Sequence, residues 1–382
     1  MAFENFYQTN SVENFKMFWF LWRLLGFRGF QNKYANIVHN LVLHVAISFW
    51  YPMHLTLGLL SLPNQGEIFK NLSITITCIV CSMKQLFLRW KIRQMHDIEM
   101  LFLELDASVE SRQEYHFFTN GPRKHAQWIT KLYCTCYMGA NVAAITMVML
   151  DSQRRLMYPA WFPFDWSSSS QVYWAVLMYQ FMGVTTQIVQ NLVNDAPAGV
   201  LLCLISGHVR LLGMRVSRIG HDSKKTENEN LADLGKCVED HKRLIKLFKL
   251  VEDTQSYVQL ILYISGGLNI CVAVVYLIFF VESLTAYLYY SAFILAITIE
   301  IYPSYYYGSS CQQEFNDLSY AIFCSNWLEQ PKRFHKNMRI FVESTLPKVT
   351  MTAGGIVRMQ IENFFAICKM AYSLFTLIRS IK

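Results

Sequence analysis

Between Tyr34 and Gly66 the chain contains no Asp, Glu, Lys or Arg. About 20 predominantly apolar residues in a helix cross a hydrocarbon core of ~30 Å. Inside such a core each backbone donor and acceptor must be paired within the segment, which a helix does alone. Further runs follow the same rule. Leu72 to Met83 is a clean core flanked by Lys70 and Lys84, whose long stems can carry their charge toward an interface. Leu132–Leu150, Trp166–Asn194 and Thr254–Val281 carry no charge, and Ser283–Tyr307 carries only Glu300.

The expected fold is therefore all-α: one polytopic domain, 1–382, with seven spans at about 36–59, 68–88, 130–150, 171–208, 257–281, 284–307 and 359–379. The fourth apolar run continues past Asp195 to His208. It is too long for one crossing, so its helix is expected to project from the membrane as a stem kinked at Pro197. The seventh run, Val349–Ile378, carries Arg358, Glu362 and Lys369 and needs protein or water on its polar side. Taken alone it also fits a buried amphipathic helix of a soluble domain.

Lys and Arg are distributed unevenly between the connections. Those before span one and after spans two, four and six hold 25, and the remaining connections and the C-terminal end hold four. Basic loops stay in the cytoplasm, so the N-terminus is expected inside and the C-terminus outside. The N-terminal residues show no small-residue cleavage site, which leaves targeting to the first membrane helix. Among the basic connections, Leu231–Leu250 and Phe315–Phe341 place apolar residues at helical intervals and are expected to form a collar beneath the membrane. The loop from Tyr158 to Trp166 (YPAWFPFDW) is aromatic and stiffened by proline. It reads as a cap on the bundle or as an interfacial anchor.

Composition excludes several function classes. Charged residues are 16% of the chain, against roughly 25% in an average globular protein. The net charge of +7 lies in loops between apolar runs and not on one soluble face, which argues against nucleic-acid binding. Cys78-x-x-Cys81 and Cys134-x-Cys136 lack the second Cys or His pair that a zinc site requires, and His39 and His44 are spaced off a shared helical face. No phosphate loop, His-Glu-x-x-His or nucleophile elbow occurs, so neither an enzyme nor a cofactor or metal is expected.

An inside N-terminus inverts the topology of a G-protein-coupled receptor, and the Asp-Arg-Tyr and Asn-Pro-x-x-Tyr signatures are missing. A transporter would show inverted repeats and broken mid-membrane helices, and neither is found. The C-terminal third instead resembles the insect odorant receptor family. The pieces are Ser319–Trp327 (SYAIFCSNW), Pro331 followed by a basic run, Leu346-Pro347, Thr352-Ala-Gly-Gly355, and the ending Lys369–Arg379 (KMAYSLFTLIR). The 158–166 loop is similar to the family's second extracellular loop. A gustatory receptor of the same superfamily is the alternative, but its Thr-Tyr-x5-Gln-Phe ending is absent.

The resemblance implies an odorant-sensing subunit of a ligand-gated, non-selective cation channel in the plasma membrane of sensory neuron dendrites. It would work in a hetero-tetramer with the olfactory co-receptor. The co-receptor's long insertion between spans four and five is lacking, which implies the ligand-binding subunit. The family's pore is lined by the last helix. There Leu377 falls at the apolar gate, Thr376 and Ser380 beside it, and Arg379 near the outer mouth. The ligand would be a small volatile apolar molecule among spans two, three, four and six in the outer half of the bilayer. That depth holds Thr75 and Ile79 on span two and Ala140, Ala144 and Met147 on span three. It holds Trp174, Met178 and Phe181 on span four, and Tyr287, Tyr290, Ser291 and Ile294 on span six. Thr75, Ser291 and the tyrosines offer single hydrogen bonds, and the methionines can repack around different ligands.

Overall fold

The computed structural model describes residues 9–27, 32–150, 155–281 and 284–381. Helix α1 (Lys16–Leu24) precedes α2 (Lys33–Leu41), which runs through a π-helical stretch, Val42–Trp50, into α3 (Tyr51–Leu60). There follow α4 (Gln65–Ala107), α5 (Arg112–Asn120), α6 (Pro122–Leu150), α7 (Ser170–Arg218), α8 (Glu227–Phe279) and α9 (Leu284–Phe323). Helix α10 (Lys332–Thr345) leads to a small antiparallel hairpin of β1 (Thr352–Ala353) and β2 (Val357–Arg358), and α11 (Ile361–Ile381) closes the chain.

Local chemistry sets several of these starts. The Asn32 side chain accepts from the Tyr34 and Ala35 amides, and Ser169 accepts from Val172 N. Thr226 and Glu229 form a reciprocal capping box ahead of α8. Arg358, expected within the last membrane run, lies instead on β2 before α11 begins.

Among the described residues five helical stretches are long and apolar enough to cross a membrane: Lys33–Leu60, Gln65–Ala107, Ser170–Arg218, Glu227–Phe279 and Ala286–Phe323. Helices α6 and α11, of 29 and 21 residues, reach ~43 and ~31 Å at 1.5 Å per residue, long enough to match a bilayer core. Helix α7 is the axis of the bundle, because every residue from Gln190 to Val209 is buried. Pro197 lies within this continuous helix, where it removes the bond that Val193 O would otherwise accept.

Below the apolar zone the helices continue into a stem. Its core includes Phe15, Phe18 and Trp22, with Phe102, Phe118, Phe334 and Phe341. Leu234, Leu244 and Leu247 of α8 are buried here, as are Phe315, Leu318 and Ile322 of α9, so both stretches bury an apolar face. Charges inside the stem are paired. Asp106 accepts from Thr9 Oγ1 and from the Ser11 amide and hydroxyl at 2.5–2.9 Å. Burial nonetheless raises its carboxyl above the usual range. Asp240 accepts from Arg215 at 2.7 Å, Arg243 at 2.9 Å and Ser108 Oγ at 3.0 Å, while Arg215 also reaches Glu114 at 3.0 Å.

Two stability predictions follow from the stem. Asp240→Ala removes a buried acceptor shared by two partly exposed arginines and is expected to destabilise the purified chain by about 1–2 kcal/mol, read as a lowered melting temperature in detergent. His241 is buried against Phe341, and burial pushes its imidazole down to about 4. The unfolded chain, with a His pKa near ~6.5, then binds the extra proton. The contribution of His241 is therefore complete above pH ~6.5 and is lost as pH falls toward about 4. A pH series of melting temperatures should show that slope, and His241→Gln should flatten it.

Candidate ligand site beneath the 155–169 loop

The connection from α6 to α7 is pinned to the bundle at both faces. Gln180 of α7 accepts from Met157 N at 2.9 Å and donates to Tyr158 O at 2.8 Å. On α3, His54 O accepts from Trp161 N at 3.0 Å, and His54 Nδ1 donates to Trp161 O at 2.8 Å. The loop can lie this close because Gly58 has no side chain; a Cβ there would stand 2.6 Å from Ala160 Cα. Gly183 does the same for the α3–α7 contact, where Tyr51 occupies the space of a Cβ. Met157 and Tyr158 pack inward on Tyr51, Leu55, Cys78 and Val184, whereas Trp161 and Phe164 are exposed. The segment thus has a capping half and an outward aromatic half.

An apolar cavity of about 180 Å³ lies between Met157 of the loop, α6 and α7, open on the side where Met149, Trp174 and Met178 are exposed. Ile145, Val148 and Met149 form one wall, and Trp174, Leu177, Met178 and Phe181 the other. Positions 174, 177, 178 and 181 share one face of α7 by helical periodicity, so the three residues expected on this helix do line one cavity. A wider groove of about 820 Å³, lined by Trp50, His54, Phe162, Phe164 and Tyr179 among others, opens on the α3 side of the loop.

The other expected residues distribute differently. Tyr290 is 4% exposed, its hydroxyl donates to Lys70 O at 2.9 Å, and its ring meets Tyr276 at 4.3 Å. Ile294 packs on that same cluster between α4, α8 and α9. Thr75 is buried with its hydroxyl donated to Asn71 O inside its own helix. Ala144 and Ser291 are half-buried, whereas Ile79, Ala140 and Tyr287 are exposed. The Met147 side chain lies outside the described residues. On α11, Thr376 is exposed and donates to Ser373 O at 2.8 Å; the side chains of Leu377, Arg379 and Ser380 lie outside the described residues.

Helix α9 connects this region to α11. The Tyr302 and Phe364 rings meet edge to face at 5.5 Å, and Ser309 Oγ accepts from Ile361 N at 2.9 Å. A shift of α9 is therefore felt directly at the start of the last helix.

Sequence reasoning passed over two features. Tyr158 and Gln180, which fix the loop, carry no signal beyond an aromatic in a loop and a polar residue in an apolar run. Lys84, expected to reach an interface, is instead 1% exposed. It donates to both oxygens of Asp195 at 2.8 and 2.7 Å, and Glu300 Oε1 stands 3.7 Å away. The Tyr137 hydroxyl donates to Asp195 Oδ2 at 3.0 Å, and the Tyr133 hydroxyl donates to Glu300 O. The signal was present: each charge interrupts an otherwise apolar run, and such residues face the bundle interior and pair with one another.

Comparison with known proteins places this architecture. The family model described as 7tm Odorant receptor matches residues 64–372. Odorant receptor 33b of Drosophila melanogaster is 37% identical over 97% of this chain and 98% of its own, and odorant receptor 33a of the same species is 38% identical over 98% of each. The olfactory receptor OR5 of Machilis hrabei has a similar fold, with a TM-score of 0.80 at 13% identity over 98% of this chain and 100% of that one. The same receptor in complex with eugenol gives 0.79. With apolar helices of membrane-crossing length, a loop-roofed cavity and near full-length similarity to receptors, the chain is a membrane receptor and not an enzyme, and it belongs to the insect odorant receptor family.

Proposed function

We propose that this chain is the odorant-sensing subunit of a ligand-gated, non-selective cation channel in the dendritic plasma membrane of sensory neurons. It assembles with the olfactory co-receptor as a hetero-tetramer. The chain crosses the membrane seven times, with its N-terminus in the cytoplasm and its C-terminus outside. On that reading the stem is cytoplasmic, and the 155–169 loop roofs the outer half of the bundle. The basic stem and the two basic residues of the loop connection support this orientation.

The observation that carries the ligand reading is the apolar cavity of about 180 Å³ roofed by Met157 and walled by Trp174, Met178 and Phe181. An apolar cavity near 150 Å³ is enough to hold benzene, so a small volatile molecule fits within this partly open one. Met149, Met157 and Met178 give adaptable walls, which suits ligands of varied shape. The solved relative bound to eugenol, a small aromatic molecule, agrees with this class. Tyr290, Ser291 and Ile294 lie on α9, the helix that meets α11. A ligand that binds the open arrangement better than the closed one would act through this helix on a pore lined by Thr376, Leu377 and Ser380.

Phe181→Ala and Met178→Ala are each expected to raise the half-maximal odorant concentration about tenfold, corresponding to ~1.4 kcal/mol of lost contact. Maximal current should stay near the unsubstituted level. Concentration–response curves in cells co-expressing a co-receptor provide the check, and unchanged curves for both variants would move the ligand site elsewhere. Odorant-evoked cation current is expected with the co-receptor and not without it. Epitope tags should label intact cells at the C-terminus only.

A further inference from the structure

Four helices meet at one buried polar point. Lys84 and Cys81 come from α4, Tyr133 and Tyr137 from α6, Asp195 from α7 and Glu300 from α9. Lys84 and Asp195 are 1% and 0% exposed, and the Glu300 side chain is four-fifths buried within the apolar run of α9. Two carboxyl groups therefore face one ammonium. Among the described residues no other cation is paired with either of them, and no group of side chains suited to a metal ion is present.

The geometry divides the two carboxyls. Asp195 takes the short contacts: both its oxygens accept from Lys84, and Oδ2 also accepts from Tyr137. Glu300 is 3.7 Å from the ammonium, an ion-pair distance too long for a hydrogen bond. Tyr133 reaches the Glu300 backbone carbonyl. Two carboxyls are thus set against the one Lys84 ammonium, and only Asp195 is hydrogen-bonded to it. Asp195, which accepts three hydrogen bonds, is the ionised partner of Lys84. A second full negative charge would be left unpaired in a low-dielectric interior, which is strongly unfavourable.

We propose that this cluster is a proton-binding site, in which Glu300 holds a proton beside the neutral Lys84–Asp195 pair. Losing the proton leaves a net negative charge where α4, α6, α7 and α9 meet. The occupancy of the site is thereby coupled to any movement that draws α9 from α7. The inference does not depend on the channel reading, and its test uses no current.

Infrared spectroscopy of the purified full-length chain in lipid nanodiscs at neutral pH reads the site directly. The carbonyl stretch of a protonated carboxylic acid is expected. It should move on labelling with carbon-13 glutamate, stay put on labelling with carbon-13 aspartate, and vanish in Glu300→Gln. In Asp195→Asn the Lys84 ammonium is left with Glu300 as its one carboxylate. Glu300 should then ionise and the band disappear, an outcome that serves if Glu300→Gln does not fold. Absence of the band in the unsubstituted chain, its movement with labelled aspartate, or its survival in either variant would overturn the proposal.

Discussion

A lysine and an aspartate in a protein interior each lose several kcal/mol of hydration, and only short, well-aligned contacts offset that loss. In this chain the Lys84–Asp195 contact joins α4 to the fully buried middle of α7, with Tyr137 bringing in α6 and Glu300 bringing in α9. Removing one partner leaves an uncompensated charge, so the pair disfavours any register of these helices that would separate it. Apolar packing alone would discriminate less, because sliding one greasy helix along another by a turn exchanges similar contacts. The loop, the cavity and the stem are all built on helices held in this register.

On the loop side of the ionic point the helices carry few charges, and on the other side the same helices carry many. That division explains why α4, α7, α8 and α9 run 40 residues or more without a break. Each is apolar where it would meet lipid and charged where it forms the stem. The stem holds its own buried charges in networks such as Arg215 with Glu114 and Asp240. Movement at the loop end of a continuous helix is carried to the stem and, through Tyr302, Ser309 and their partners, to α11.

The candidate site was only partly legible. Trp174, Met178 and Phe181 could be grouped because one helical face repeats at three and four residues, and they do share a cavity. Which face of α6 opposes them could not be read the same way. The cavity takes Ile145, Val148 and Met149, and the exposed Ala140 lies on another face. Tyr290 looked like a polar handle for a ligand, yet its hydroxyl is satisfied by Lys70 O across a helix interface. Rotation of a helix about its axis depends on neighbours distant in sequence, and periodicity carries no record of them.

Unaided, the sequence determined that the chain is helical and membrane-borne, that its lysines and arginines concentrate in alternate connections, and that its ending resembles one receptor family. These follow from run length, charge placement and local pattern, which are properties of short stretches. Only the tertiary structure decided that Lys84 turns inward to Asp195, that Tyr158 and Gln180 lock a loop over the bundle, and that Arg358 sits on a hairpin and not on the last helix. Each depends on residues brought together from distant parts of the chain. The free energy of an interior charge or a buried carbonyl is set by what packs against it.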